Sequence, residues 1–330
     1  MKIFEKVSYY GFPWKEAFIF CCGNGNAIMR LNVARSFIMT ETQWQFFTDF
    51  RTDFKEQCHQ WNEAFAAELE PLQKAAASKD TPEYPVETGV VYNHALDEVT
   101  RETDIKLIVI GDNPGKDEQL QRNQRYLVGQ AGKIAAGFFS RNPELAIDFR
   151  KNTIILNKTP VHTAKTAHLR QLLKSGKPEI IRLIQESQRW MATKTAQLHQ
   201  VLCSAPCTGK NVSSKNAGSD EKKAGSGWWG CQLWLVGYAE LKGRGLFLDY
   251  RDQLAQSYGV PMGGAVEAGS VPQGVLPQWN QVMVYQHFSM NRFTIDLADQ
   301  LSSGKINSQL PLQEQLAVLG ALHRQEIFGC

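Results

Sequence analysis

Four polar side chains stand at the ends of short apolar runs. Asp112 and Asn113 follow KLIVIG (106–111), Asn157 ends TIILN (153–157), and His287 ends QVMVYQH (281–287). A carboxylate or amide can hold a water molecule. An amide that both donates and accepts can read the edge of a base, and a histidine can act as donor or acid. Pro114 fixes φ and removes a donor, so the turn after the first run is stiff. An isolated Asp-Asn pair is ordinarily a turn that ends a strand, and a lone Asn or His is ordinarily structural. Three such groups at three run ends are harder to dismiss. The neighbouring Gly-Lys pair does not make a phosphate cradle. GDNPGKD has one residue too few between its glycines for a P-loop and lacks the following Ser or Thr, and no GxGxxG is present.

The runs that carry these groups read as strands. KLIVIG, TIILN, LWLVG (233–237) and QVMVYQH are strand-length and at least partly β-branched. Helical patterns separate them: AGKIAAGFFSR, HLRQLLKSG, EIIRLIQESQRWMATKTAQLHQVL and DYRDQLAQSYG. This alternation predicts a three-layer α/β/α domain with a four-stranded, mainly parallel sheet. Ligands of such sheets bind beyond the carboxyl ends of the strands, where Gly111 to Gly115, Asn157, Gly237 and His287 fall. Before this domain, Phe47, Phe50, Phe54, Cys58, Trp61 and Phe65 step by 3 or 4, the face of a helix. Thr40 with Gln43 offers a capping box at its start and Pro71 lies near its end. The expected division is an N-terminal extension, 1–85, largely helical from Thr40, and an α/β domain, 86–330. The stretch 207–227 (CTGKNVSSKNAGSDEKKAGSG) has no period and is expected to be a disordered insert.

Composition narrows the class. The chain has 330 residues, 43% of them hydrophobic, enough for a packed core. No run of 18 or more apolar residues occurs, so no membrane span is expected. The N-terminus makes a poor signal peptide. The seven cysteines are an odd, scattered set, which predicts free thiols and a cytoplasmic location. The net charge of +3 is unevenly spread. Residues 150–177 hold seven Lys or Arg and no Asp or Glu, ordinarily only a solvated face.

In order along the chain, GDNPG, YLVGQAG, NTIILNKTP, LWLVG and HFSMNR resemble the motifs of the uracil-DNA glycosylase superfamily, from about residue 90 to about residue 300. The first is similar to the GINPG and GMNPG turns of its mismatch-specific and single-strand-selective branches. VGQAG is similar to the VGxAG of its iron–sulfur branch, and HFSMNR to HPSP. The resemblance implies a glycosylase that cleaves the N-glycosidic bond of uracil, or a related deaminated base, flipped out of DNA.

By position, Asn113 would hold the attacking water, with Asp112 as the alternative water-activating group. Asn157 would read the Watson–Crick edge of the base, and His287 would donate to O2 of the departing base. Gly111 and Gly115 would line the base site, Gly115 leaving room above the sugar. The stacking aromatic falls on Leu127, with Tyr126 adjacent. Lys158, Lys165 and Arg170 would contact DNA, as would Ser289, Asn291 and Arg292, and the residue that wedges the duplex falls on Asn291 or Arg292. No cysteine pair precedes the first motif and Pro160 stands at a ligand position of the iron–sulfur branch, so no metal or cofactor is expected. A monomer with DNA as partner is the expectation. Two other readings stay open: a nucleic-acid-binding protein on the same fold with little or no catalysis, and a hydrolase of free nucleosides or nucleotides.

Overall fold

A computed structural model describes residues 38–203, 231–261 and 274–329. The expected insert at 207–227 and residues 1–37 lie outside the described residues. Four strands, β1 (Leu107–Gly111), β2 (Thr153–Asn157), β3 (Gln232–Val236) and β4 (Val282–Tyr285), form one all-parallel sheet in the order β2-β1-β3-β4. Every strand residue is buried. Both faces are therefore covered, which is why these strands read as continuous apolar runs rather than as an alternation. Flanking helices complete the three-layer α/β/α architecture.

The helices are α1 (Glu41–Ala77), α2 (Gln130–Arg141), α3 (Leu169–Leu172), α4 (Pro178–Cys203), α5 (Leu248–Ser257), α6 (Arg292–Ser302) and α7 (Leu312–Phe328). Trp234 of β3 packs on Phe139 of α2 and Phe293 of α6, with ring centroids 5.6 and 5.9 Å away. Helices α1, α4 and α5 pack together as a second layer.

The capping box forms as read. Gln43 N–H donates to Thr40 Oγ1 at 3.2 Å, and Thr40 N–H donates to Gln43 Oε1 at 3.0 Å. Phe54 lies 5.7 Å from Trp190 of α4, and the α1 stripe belongs to the same apolar core as the sheet. Pro71 lies inside α1, near its end. The helix runs on because Gln73, Ala76 and Ala77, beyond the proline, are buried. Burying each large stripe side chain contributes about 1.5–3 kcal/mol.

At the far edge, α7 lies close against β4. A Cβ on Gly320 would come within 2.7 Å of Met283 Cβ and 2.8 Å of the Tyr285 hydroxyl, so only glycine permits this approach.

Candidate functional site

Parallel register assembles the site. Gly111 pairs with Asn157, Ile110 with Leu235, and Val236 with Tyr285, so the residues that follow β1, β2, β3 and β4 emerge at one edge of the sheet. Two glycines make room for their neighbours. A Cβ on Gly111 would lie 2.4 Å from Asn157 Oδ1, and one on Gly237 would lie 2.3 Å from Asp112 Oδ1. Gly237 also has φ +93°, a left-handed conformation that costs glycine little.

Asn113 is held in one orientation. Its Nδ2 donates to Thr163 Oγ1 at 2.8 Å and to the Val161 carbonyl at 3.3 Å. The Thr163 hydroxyl donates in turn to the Lys165 carbonyl at 2.8 Å, so its oxygen is free to accept from Asn113. Asn113 Oδ1 then faces away, buried and with no partner among the described residues. The turn itself is braced from behind. His162 Nδ1–H donates to the Pro114 carbonyl at 2.9 Å, and Thr163 N–H to the same oxygen at 3.2 Å. Burial pushes His162 down to about 4, so it is neutral near pH 7.

Asn157 is 1% exposed, and its Nδ2 is a second buried amide atom with no partner among the described residues. Buried polar groups are nearly always satisfied, so these two atoms at adjacent strand ends, one acceptor and one donor, are open to a polar ligand or to water.

His287 is part-buried and oriented by its neighbour. Ser289 N–H donates to His287 Nδ1 at 3.1 Å, and Ser289 Oγ lies 2.7 Å from the same nitrogen. Nδ1 is therefore the acceptor and the neutral ring carries its proton on Nε2. Burial lowers the His287 pKa; Asp112 opposes this and Lys158 reinforces it. The ring is thus a neutral N–H donor at neutral pH.

Several expected roles are corrected. Lys158 does not reach the surface. It is fully buried, and its ammonium lies 2.6 Å from Asp112 Oδ1. Tyr126 is not a stacking platform, because it is 1% exposed and its hydroxyl donates to the Val91 carbonyl. Leu127 is 5% exposed at φ +53°, with its carbonyl held by Arg150 and packed against Gly132. This close approach explains the second glycine of VGQAG, since a Cβ on Gly132 would overlap that oxygen. Gly115 opens onto free space, with nothing within 4 Å of a Cβ there.

The basic stretch is largely neutralised. Lys165 pairs with Asp80 at 2.7 Å, Arg170 with Glu240 at 2.6 Å and Lys177 with Glu68 at 3.2 Å. The cations without ion pairs among the described residues include Lys116 after β1, Lys133 in the first turn of α2, and Arg292 at the start of α6. Met290 and Asn291 both adopt left-handed backbone, φ +53° and +56°, and this pushes Met290 out to 73% exposure. Met290 is the projecting apolar side chain of HFSMNR.

Glu118 was missed in the sequence. It is 8% exposed, accepts from Gly115 N–H at 3.3 Å, and burial raises its carboxyl to about 7. Two surface clefts lie elsewhere. One of about 420 Å³ is lined by Arg51, Lys55 and Asp97, the other of about 370 Å³ by Asn93, Arg125 and Asn152. Among the described residues no cluster of three or more His, Cys, Asp or Glu could hold a metal, and no helix is long and apolar enough to cross a membrane.

Comparison with protein-family models, with curated proteins and with solved structures finds no match for this chain.

Proposed function

We propose that this chain is a DNA glycosylase that hydrolyses the bond between deoxyribose and a flipped-out uracil or related deaminated base. The observation that carries the reading is the pair of orphaned amide atoms, Asn113 Oδ1 and Asn157 Nδ2, at adjacent strand ends. Asn157 donates from Nδ2 to O4 of uracil and accepts N3–H on Oδ1. Cytosine, with an amine at position 4 and no proton at N3, is refused. His287 donates Nε2–H to O2 as the electron pair of the glycosidic bond passes to the base. A preorganised donor of this kind contributes about 3 kcal/mol of barrier lowering. Asn113 Oδ1 accepts from the water whose oxygen then bonds to the sugar carbon. An amide cannot remove the water's proton, so this water adds late, to a sugar already cationic, and the proton leaves to solvent.

The test is strand nicking of uracil, hypoxanthine and xanthine oligonucleotides, single-stranded and duplex, after alkali. Asn157→Ala and His287→Ala are expected to reduce cleavage on the order of 100-fold or more. No cleavage of any base by the wild type, with DNA binding intact, sinks the enzyme reading. One observation favours the second reading, a binding protein with little catalysis: Asp112 Oδ1 is tied up in an ion pair with the buried Lys158.

A further inference from the structure

Lys158 is an odd residue to find at the floor of a candidate site. It directly follows Asn157 in the chain, and no part of its side chain reaches solvent. Its ammonium has three N–H donors and three oxygen acceptors: Asp112 Oδ1 at 2.6 Å, the Val236 carbonyl at 2.5 Å and the Gly111 carbonyl at 3.3 Å. The Phe247 ring lies 4.9 Å away, a further contact suited to a cation. All three oxygens are acceptors only, so a neutral amine would aim its lone pair at one of them. The group is therefore a fixed cation and not a nucleophile in waiting. Burial pulls its pKa below the usual lysine value, and the charges of Asp112 and Glu240 oppose that pull.

The same contacts immobilise Asp112. Oδ1 is held by Lys158 and packed against Gly237, while Oδ2 takes no protein hydrogen bond among the described residues. The Asp112 residue keeps 8% exposure. A carboxylate buried without a partner is strongly disfavoured, and a partner cation offsets part of that penalty. It also fixes the orientation of the carboxylate, with Oδ1 on Lys158.

We infer that Lys158 is a positioning residue, which fixes the Asp112 carboxylate at the strand ends as a stationary negative charge beside the sugar. On this assignment Asn113 orients the water, and Asp112 stabilises the cationic sugar by its charge alone. The inference rests on the glycosylase reading above.

The test compares Lys158→Met, Asp112→Asn and the double variant with the wild type in single-turnover uracil excision and thermal unfolding. Lys158→Met is expected to lower the excision rate on the order of 100-fold, with KM for the oligonucleotide little changed and a lower Tm. The double variant should regain Tm but keep the low rate of Asp112→Asn, and this comparison holds even where Lys158→Met alone does not fold. A Lys158→Met enzyme with the wild-type rate overturns the inference. So does a double variant that regains both Tm and rate, because the pair is then only structural. A borohydride-trapped covalent adduct lost on Lys158→Met also overturns it, since the lysine is then a nucleophile. A wild type that cleaves nothing removes the glycosylase reading itself, an outcome distinct from all of these.

Discussion

Asn157 can reach its place only because residue 111 has no side chain. A methyl group at 111 would sit 2.4 Å from Asn157 Oδ1, well inside contact distance, so the amide must turn or the strand ends must separate. Gly111→Ala should therefore cost about 1–3 kcal/mol by overpacking and lower uracil excision at least tenfold. Gly115→Ala meets nothing within 4 Å and should stay within about 0.5 kcal/mol of the wild type in urea unfolding. Equal effects of the two would remove the steric explanation. Met290 makes a second claim at this scale. An apolar side chain held out by two left-handed residues is suited to fill the space a flipped base vacates in a duplex. Met290→Ala should slow excision from duplex DNA several-fold and leave single-stranded substrate almost unaffected. Parallel loss on both substrates would argue against the wedge.

Elements decide which charges face outward. Lys116, Lys133 and Arg292 sit on the loop after β1, on α2 and on α6, and the start of α6 adjoins a loop that packs on α2. Each carries a charge that no acid neutralises among the described residues. Replacing each with Ala should lower the slope of log affinity against log salt by about 0.9 if each meets one phosphate of duplex DNA. Lys165→Ala and Arg170→Ala, whose partners are Asp80 and Glu240, should change it less. A larger effect from Lys165 and Arg170 would restore the basic stretch as the DNA face. The sequence made the strands legible because burial on both faces leaves continuous apolar runs. It showed the strand-end polar groups for the same reason, since each closes such a run. Lys158 was illegible. A lysine after a strand looks like a surface cation, and its partner Asp112 lies 46 residues away, joined to it only by the β1–β2 register. Helices α6 and α7 went unread too. Gly320, which lets α7 approach β4, interrupts the pattern that would have announced it.

At the scale of the whole molecule, buried titratable groups make stability depend on pH, and His162, His199 and Glu118 do not all pull the same way. Burial lowers His162 and His199 from 6.5 to about 4, so the fold favours their neutral forms. Their contribution is complete above about pH 6.5 and is lost as pH falls toward 4, by about 3 kcal/mol each at most. Burial raises Glu118 from 4.5 to about 7, so the fold favours its protonated form. Its contribution is complete below about pH 4.5 and is lost as pH rises through 7, again by about 3 kcal/mol. Between these limits Glu118 offsets one of the two histidines. Glu118→Gln removes the offset without changing the shape of the side chain. Relative to the wild type, this variant should gain about 2–3 kcal/mol between about pH 5 and pH 7.5 in urea unfolding. A difference that does not vary with pH would mean that Glu118 does not titrate in this range. The same carboxylate accepts from the N–H of Gly115, in the turn that carries Asn113. On the proposed mechanism a change in its charge acts on the turn that carries Asn113, and excision by Glu118→Gln should lose part of the wild type's pH dependence near 7.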